Sequence, residues 1–309
     1  MVGAGGFLGS ALVDRLRAGG VEVREFTRTV SFMAGRERLA PDASSSRTVF
    51  WLAASVNPAV AEERPDLVEA DLATFERLLR GVEVTSEPPR IVLLSSGGVI
   101  YDPDLPPPYR EDSPVRATTA YGESKLRLER LLWSADLPDD SKLVVRVSNA
   151  YGPGQPARRG QGVIAHWLHA ASTGGPLVLL GSPETMRDYV YVGDIVDALV
   201  TVHRTPRPVP PIVNVGSGRG TSLDELANIV LDVVGDPALK LEVRPARAFD
   251  LSRTWLDIEL AARTLDWRPR TSLRDGVAAA WASVRAAGDA VATSAPARPG
   301  MQSPSSPPR

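Results

Sequence analysis

Cysteine is absent from the chain, which excludes disulfides, thiolate metal sites and a cysteine nucleophile. Histidine is scarce, with only His166, His169 and His203 present. His166 and His169 share a helical face, but no third ligand accompanies them, so a surface or packing role is expected and no metal site is predicted. No apolar run approaches the roughly 20 residues that span a bilayer, and no basic leader precedes a short apolar stretch. Neither a membrane span nor a secretion signal is expected, and the cytoplasm is the default location. An excess of one charge is missing too. The net charge of −2 supplies no field to gather nucleic acid or an anionic membrane, and neither is an expected partner.

What remains is an ordinary globular composition, 43% apolar and 23% charged over 309 residues, enough for one large or two modest domains. Apolar bursts predict buried strands at 21–26 (VEVREF), 48–55 (TVFWLAAS), 90–96 (RIVLLSS) and 142–151 (KLVVRVSNAY). Between them, helical spacing runs over 10–19, 71–81 and 120–133. This alternation implies an α/β fold, a doubly wound parallel sheet of Rossmann type over residues 1–155. Residues 156–287 read as a smaller α/β lobe that binds substrate and partly returns to the sheet, and residues 288–309 as a disordered tail of Ala, Ser, Pro and Gly.

Gly3, Gly6 and Gly9 form G-x-x-G-x-x-G directly before a helix. The first permits a tight turn, the second lets backbone approach a diphosphate, and the third lets helix and strand pack closely. A simple glycine loop is the alternative. Only Met1 and Val2 precede the turn, too few for a central strand of about 5 residues. The sequence therefore predicts either a polypeptide that begins upstream of Met1 or a frayed first strand. After the second strand the chain reads EFTRT, with Thr27 where an acid for the adenosine ribose would stand and Arg28 beside it. A guanidinium suits a 2′-phosphate, which tilts the cofactor choice between NAD and NADP towards NADP; an idle exposed Arg28 is the other reading.

Tyr121 and Lys125 lie at i, i+4 on one helix. A phenol has a reference pKa near ~10, and an adjacent ammonium favours the phenolate, which makes the pair an acid/base for a sugar hydroxyl. Ser95 and Ser96 end a strand upstream, where an open sheet presents its ligand crevice.

With these residues in view, the chain resembles the extended short-chain dehydrogenase/reductase family, in particular its nucleotide-sugar epimerases and reductases. The resemblance runs from Gly3 to about Arg285 and rests on the ordered set WLAAS, SSGGVIYD, YGESK, RVSNAYGPGQ, GQGVI, MRDYVYVGDIVDAL, NVGSG and RPARAFD. It implies Tyr121 as catalytic acid/base, Lys125 as its partner, and cofactor contacts from Gly3, Gly6, Phe7, Leu8, Gly9, Leu52, Ala53, Ala54 and Ser95. The family's serine or threonine falls on Gly97, which has no hydroxyl, so Ser96 is its substitute. For the nucleotide-sugar diphosphate the resemblance implies Asn149, Arg187 and Arg247, with Asp250 on the nucleotide ribose and Gln161, Gly162 and Val163 lining the lobe. An ion pair of Arg187 with Asp188 or Asp194 is the structural alternative. The third strand looks abbreviated, and Asp71 stands where the family commonly has an asparagine beside the cofactor.

Glycines after Ser96 leave no acid for a 4,6-dehydration. The overall match implies a C4 epimerase, FTRT an NADPH-dependent 4-ketoreductase, and the lost hydroxyl a non-catalytic nucleotide-binding member as a further alternative. Relatives form homodimers through the helices that hold ADLATFERLLRG and YGESKLRLERLLWSA, and Leu126, Leu128, Leu131, Leu132 and Trp133 offer apolar surface for such a dimer.

Overall fold

Four strands, Thr48–Trp51, Arg90–Ser96, Lys142–Val147 and Ile212–Val215, pair in parallel in that order. Their near-continuous apolar sequences follow from burial on both faces. On one face Phe50, Val92, Leu94, Val145 and Val147 pack with Leu12, Val13 and Leu16 of the helix Phe7–Ala18 and with Ile195 and Leu199 of Val192–Arg204. On the other, Val49, Trp51, Ile91, Leu93 and Val144 meet Leu72, Phe75 and Leu78 of Pro65–Glu83 and Leu128 and Leu132 of Ala120–Ser134. The computed structural model describes residues 1–35, 38–157, 160–206, 209–245 and 253–294, with side chains up to residue 288. Among them no helix is long and apolar enough to cross a membrane.

The start of the chain takes the first-strand position with two residues. Val2 N donates to Phe50 O and Val2 O accepts from Leu52 N, both at 2.9 Å, while Phe26 N donates to Met1 O at 2.8 Å and Gly3 N to Phe26 O at 3.0 Å. Val2 is thus bridged in parallel to Phe26 on one side and Trp51 on the other. The strand expected at 21–26 is present as the single bridge at Phe26. From Val2 the chain turns first to one neighbour and later to the other, so the strand order reverses at this point.

The second lobe packs the helices Val163–Ser172, Leu223–Val234 and Leu273–Ser294 around Trp167, Leu168, Leu226, Val230 and Val277. Its strand Leu177–Leu180 pairs in parallel with Leu241–Arg244. The last helix runs to Ser294, past Gly288 where the sequence led us to expect a tail, since Ala-rich sequence sustains helix readily. Residues 295–309 lie outside the described residues. Leu126, Leu128 and Leu132 are buried within the chain's own core, the alternative to a dimer surface that the sequence also allows, which leaves Leu131 and Trp133 half-buried.

Candidate active site

Absent side chains shape the glycine turn. Gly3 adopts φ +90°, and a Cβ there would lie 2.6 Å from Ala53 N. A Cβ on Gly9 would run into Gly3 O. Gly6 caps the helix Phe7–Ala18 without a side-chain bond, and no acid stands in the first turn. Ser10 N is bonded to Gly6 O at 2.9 Å, and the N–H groups ahead of it have no carbonyl within the helix.

Tyr121 opens the helix Ala120–Ser134, which is capped twice. Thr119 Oγ1 accepts from Gly122 N at 3.0 Å, and Glu62 Oε1 from Ala120 N at 2.8 Å. Gly122 is needed here because a Cβ would sit 2.6 Å from Val99 O. The bare first turn therefore lies against the loop that follows Ser96. One turn on, Lys125 is buried with Nζ 5.4 Å from the centroid of the Tyr121 ring. Lys125 and Ser124 wall a small cavity with Ala53, Ala54, Val56 and Asp71. Ala53 thus has the lysine cavity on one side and Gly3 on the other. Asp71 Oδ2 accepts from Ser55 N at 2.7 Å and so fixes the Ala53–Ser55 turn.

The strand register divides the two serines. Ser95 pairs with Arg146, whose side chain reaches the tyrosine helix, whereas Ser96 pairs with Val147 of the opposite face. Ser95 Oγ is buried without a hydrogen-bond partner, and Ser96 is half-buried. At Gly97 a Cβ would lie 2.6 Å from Leu256 Cδ1, so a buried leucine fills the place of the family hydroxyl. Leu256 N donates to Asp188 Oδ2 at 3.2 Å. Asp188 also accepts from Ser148 Oγ at 3.0 Å and from Ser217 N and Oγ at 2.7 Å each. Burial pushes the Asp188 carboxyl up, and these donors oppose the shift. Its backbone carbonyl takes both Asn149 N, at 3.0 Å, and Asn149 Nδ2, at 2.9 Å. That contact turns the Asn149 amide back onto the chain beside Gly98, whose missing Cβ would be 3.7 Å from Nδ2.

Arg187 is half-buried and donates from Nη1 to Met186 O at 2.9 Å, while Asp194 accepts from Arg270 N and Thr271 N at 3.1 Å each. Gly162 caps Val163–Ser172 at φ +79° and rests on Gln155, whose Nε2 donates to Ala150 O, with Gln161 exposed beside it. Arg28 is exposed on a turn closed by Thr27 Oγ1, which accepts from Val30 N at 3.3 Å. Arg247 and Asp250 lie outside the described residues. Spacing along the chain gave no sign of Leu256, or of the Ser148, Ser217 and Leu256 donors to Asp188, because those contacts join distant segments.

The family model for the NAD dependent epimerase/dehydratase family matches residues 1–216. The chain belongs to that family. A UDP-glucose 4-epimerase of Mycolicibacterium smegmatis is 30% identical over 312 residues, covering 90% of this chain and 95% of its own. A dTDP-6-deoxy-L-talose 4-dehydrogenase (NAD(P)(+)) of Kitasatospora kifunensis is 29% identical, with 91% and 93% covered. The crystal structure of a Thermus thermophilus UDP-glucose 4-epimerase in complex with NAD matches with a TM-score of 0.78 at 28% identity, covering 93% of this chain and 98% of that one.

The turn fits the dinucleotide that gives the family its name. Two positions that exclude a Cβ, orphan N–H groups at a helix start and a first turn free of carboxylates together suit a diphosphate. Gly9→Ala should therefore destabilise the protein by about 1–3 kcal/mol and weaken NAD binding. Gly5→Ala, with nothing within 4 Å of its Cβ, should leave the urea midpoint and an NAD titration unchanged.

Proposed function

We propose that this chain is an NAD(P)-dependent nucleotide-sugar epimerase that inverts C4 of a nucleotide-linked hexose. The observation that carries the reading is the shared wall at Ala53, with the buried Lys125 on one side and the glycine turn on the other. That wall joins a proton-handling pair to a dinucleotide cradle in one crevice at the carboxyl ends of the strands. The Mycolicibacterium epimerase, matched across 90% of the chain, supports the same reaction.

In this reading the turn from Gly3 to Gly9, with Phe7, Leu8, Leu52, Ala53, Ala54 and Ser95, holds the cofactor. Bound nicotinamide supplies the hydride acceptor and donor. Tyr121 takes the proton from the C4 hydroxyl as it is oxidised and returns it when the rotated keto sugar is reduced on its other face. Lys125, buried with Nζ 5.4 Å from the centroid of the Tyr121 ring, orients the ribose beside it. Ser95, on the tyrosine-helix face with its Oγ buried and without a partner, offers the hydrogen bond to the reacting oxygen expected of Ser96, whose register turns it to the opposite face. Asn149 and Arg187 are assigned to the nucleotide side, where arginine's planar fork suits a diphosphate, and the family resemblance assigns Arg247 and Asp250 the same role.

A second reading, an NADPH-dependent 4-ketoreductase, draws on the exposed Arg28 beside Thr27 and on the Kitasatospora relative. The helices Pro65–Glu83 and Ala120–Ser134 support a homodimer, since Leu72, Ala73 and Leu131 line an open groove edged by Glu69, Glu76, Arg127 and Arg130.

Tyr121→Phe should lower turnover of UDP-, dTDP- or GDP-hexoses about 10²-fold or more, with NAD affinity within a factor of about three. Unchanged turnover would remove Tyr121 from the chemistry, and no turnover by the parent protein with any of these sugars would favour a nucleotide-binding module. Epimerisation with NAD(H) retained through purification is expected; stoichiometric NADPH consumption with a 4-keto sugar would select the reductase instead. Sedimentation should show a dimer that Leu131→Glu converts to monomer.

A further inference from the structure

A buried polar assembly in the described sheet lies outside every role given so far. Glu129 and Arg146 are each 5% exposed at their side chains, and they meet as a fork, Nη2 to Oε2 at 2.7 Å and Nε to Oε1 at 3.1 Å. Glu129 follows Lys125 by one turn and Tyr121 by two, so the three share a helix face. Arg146 stands opposite Ser95 in the sheet register. Its Nη1 donates to Tyr101 Oη at 3.1 Å and to Glu111 O at 3.2 Å, and its guanidinium lies 5.1 Å from the centroid of the Tyr101 ring. Tyr101 Oη donates in turn to Asn214 Oδ1 at 2.7 Å. Asn214 Nδ2 donates to Tyr109 O at 3.0 Å and to Asp257 O at 3.2 Å, and Asn214 N to Glu111 Oε1 at 2.9 Å. One chain of bonds thus ties the tyrosine helix, the loop from Ser96 to Tyr101, two strands and the segment carrying Leu256.

Stability does not account for an ion pair in this position. Desolvation offsets most of the attraction, and an apolar pair of similar volume usually holds a fold as well or better. What a fork adds is direction. Two parallel bonds fix the rotation and depth of a helix, whereas a leucine against a methionine tolerates sliding. Proton transfer is sensitive to such sliding, since a misplacement of about 1 Å slows a positioned reaction by about 10²-fold.

We infer that Glu129 and Arg146 are positioning residues that hold Tyr121 and Lys125 at a fixed distance from the Ser96–Val99 loop. The inference rests on Tyr121 as the acid/base proposed above. In the double variant Glu129→Leu/Arg146→Met the melting temperature stays at or above that of the parent. Its kcat for the nucleotide sugar falls about tenfold or more, while KM and the NAD Kd move by less than about threefold. A kcat within twofold of the parent overturns the inference. Should the double variant fail to fold, Arg146→Lys is measured instead, because it keeps the charge and loses the fork. The same fall in kcat supports the inference, and parental kcat overturns it. Absence of turnover in the parent protein refutes the acid/base reading and not the positioning. In that case the emission of bound NADH at saturation decides. A change in the variants at unchanged Kd supports the inference, and identical emission overturns it.

Discussion

Asp188 has no exposed surface, and hydrogen-bond donors from three distant parts of the chain converge on its carboxylate: Ser148 after one strand, Ser217 after another, and the backbone of Leu256 near the end of the chain. A carboxylate without solvent must be satisfied by the protein, so each donor is drawn to a fixed place. The Gly97–Asn149 side of the crevice depends on that convergence. It holds Leu256 over Gly97 through the side chain of Asp188 and sets Asn149 through its carbonyl. Leu256 and Asn149 are thereby built on a rigid knot, although they lie far apart in the chain.

The cofactor side is organised by the opposite device, the removal of atoms. Gly3 against Ala53, Gly9 against Gly3 and Gly122 against Val99 are places where backbone meets backbone at a distance that no side chain permits. These contacts draw the turn, the strand end and the tyrosine helix into one wall. The two halves of the crevice therefore respond to different perturbations, added volume on one side and a lost charge or donor on the other.

Much of this was legible in the sequence. Strands such as RIVLLSS announce themselves because burial on both faces demands unbroken apolar runs, and Tyr121 and Lys125 are linked by helical spacing alone. At 21–26 the apolar alternation predicts a strand, and pairing is confined to the bridge at Phe26, since strand length depends on the neighbour as well as on composition. The reason for Gly97 was invisible for a related cause. Its partner Leu256 lies far along the chain, and nothing local marks the contact. Leu126, Leu128 and Leu132 left burial and a dimer face both open, because a helix between a sheet and a second helix needs apolar residues on more than one side.

The contact between Gly97 and Leu256 also bears on how such a site changes through descent. A serine gained at 97 meets a buried leucine, an overpacking of about 1–3 kcal/mol, and a small residue gained at 256 opens a void worth about 2–5 kcal/mol. Each step alone is harmful, and only the two together would restore a hydroxyl. In this packing a hydroxyl at 97 and a smaller side chain at 256 are therefore compatible only as a pair.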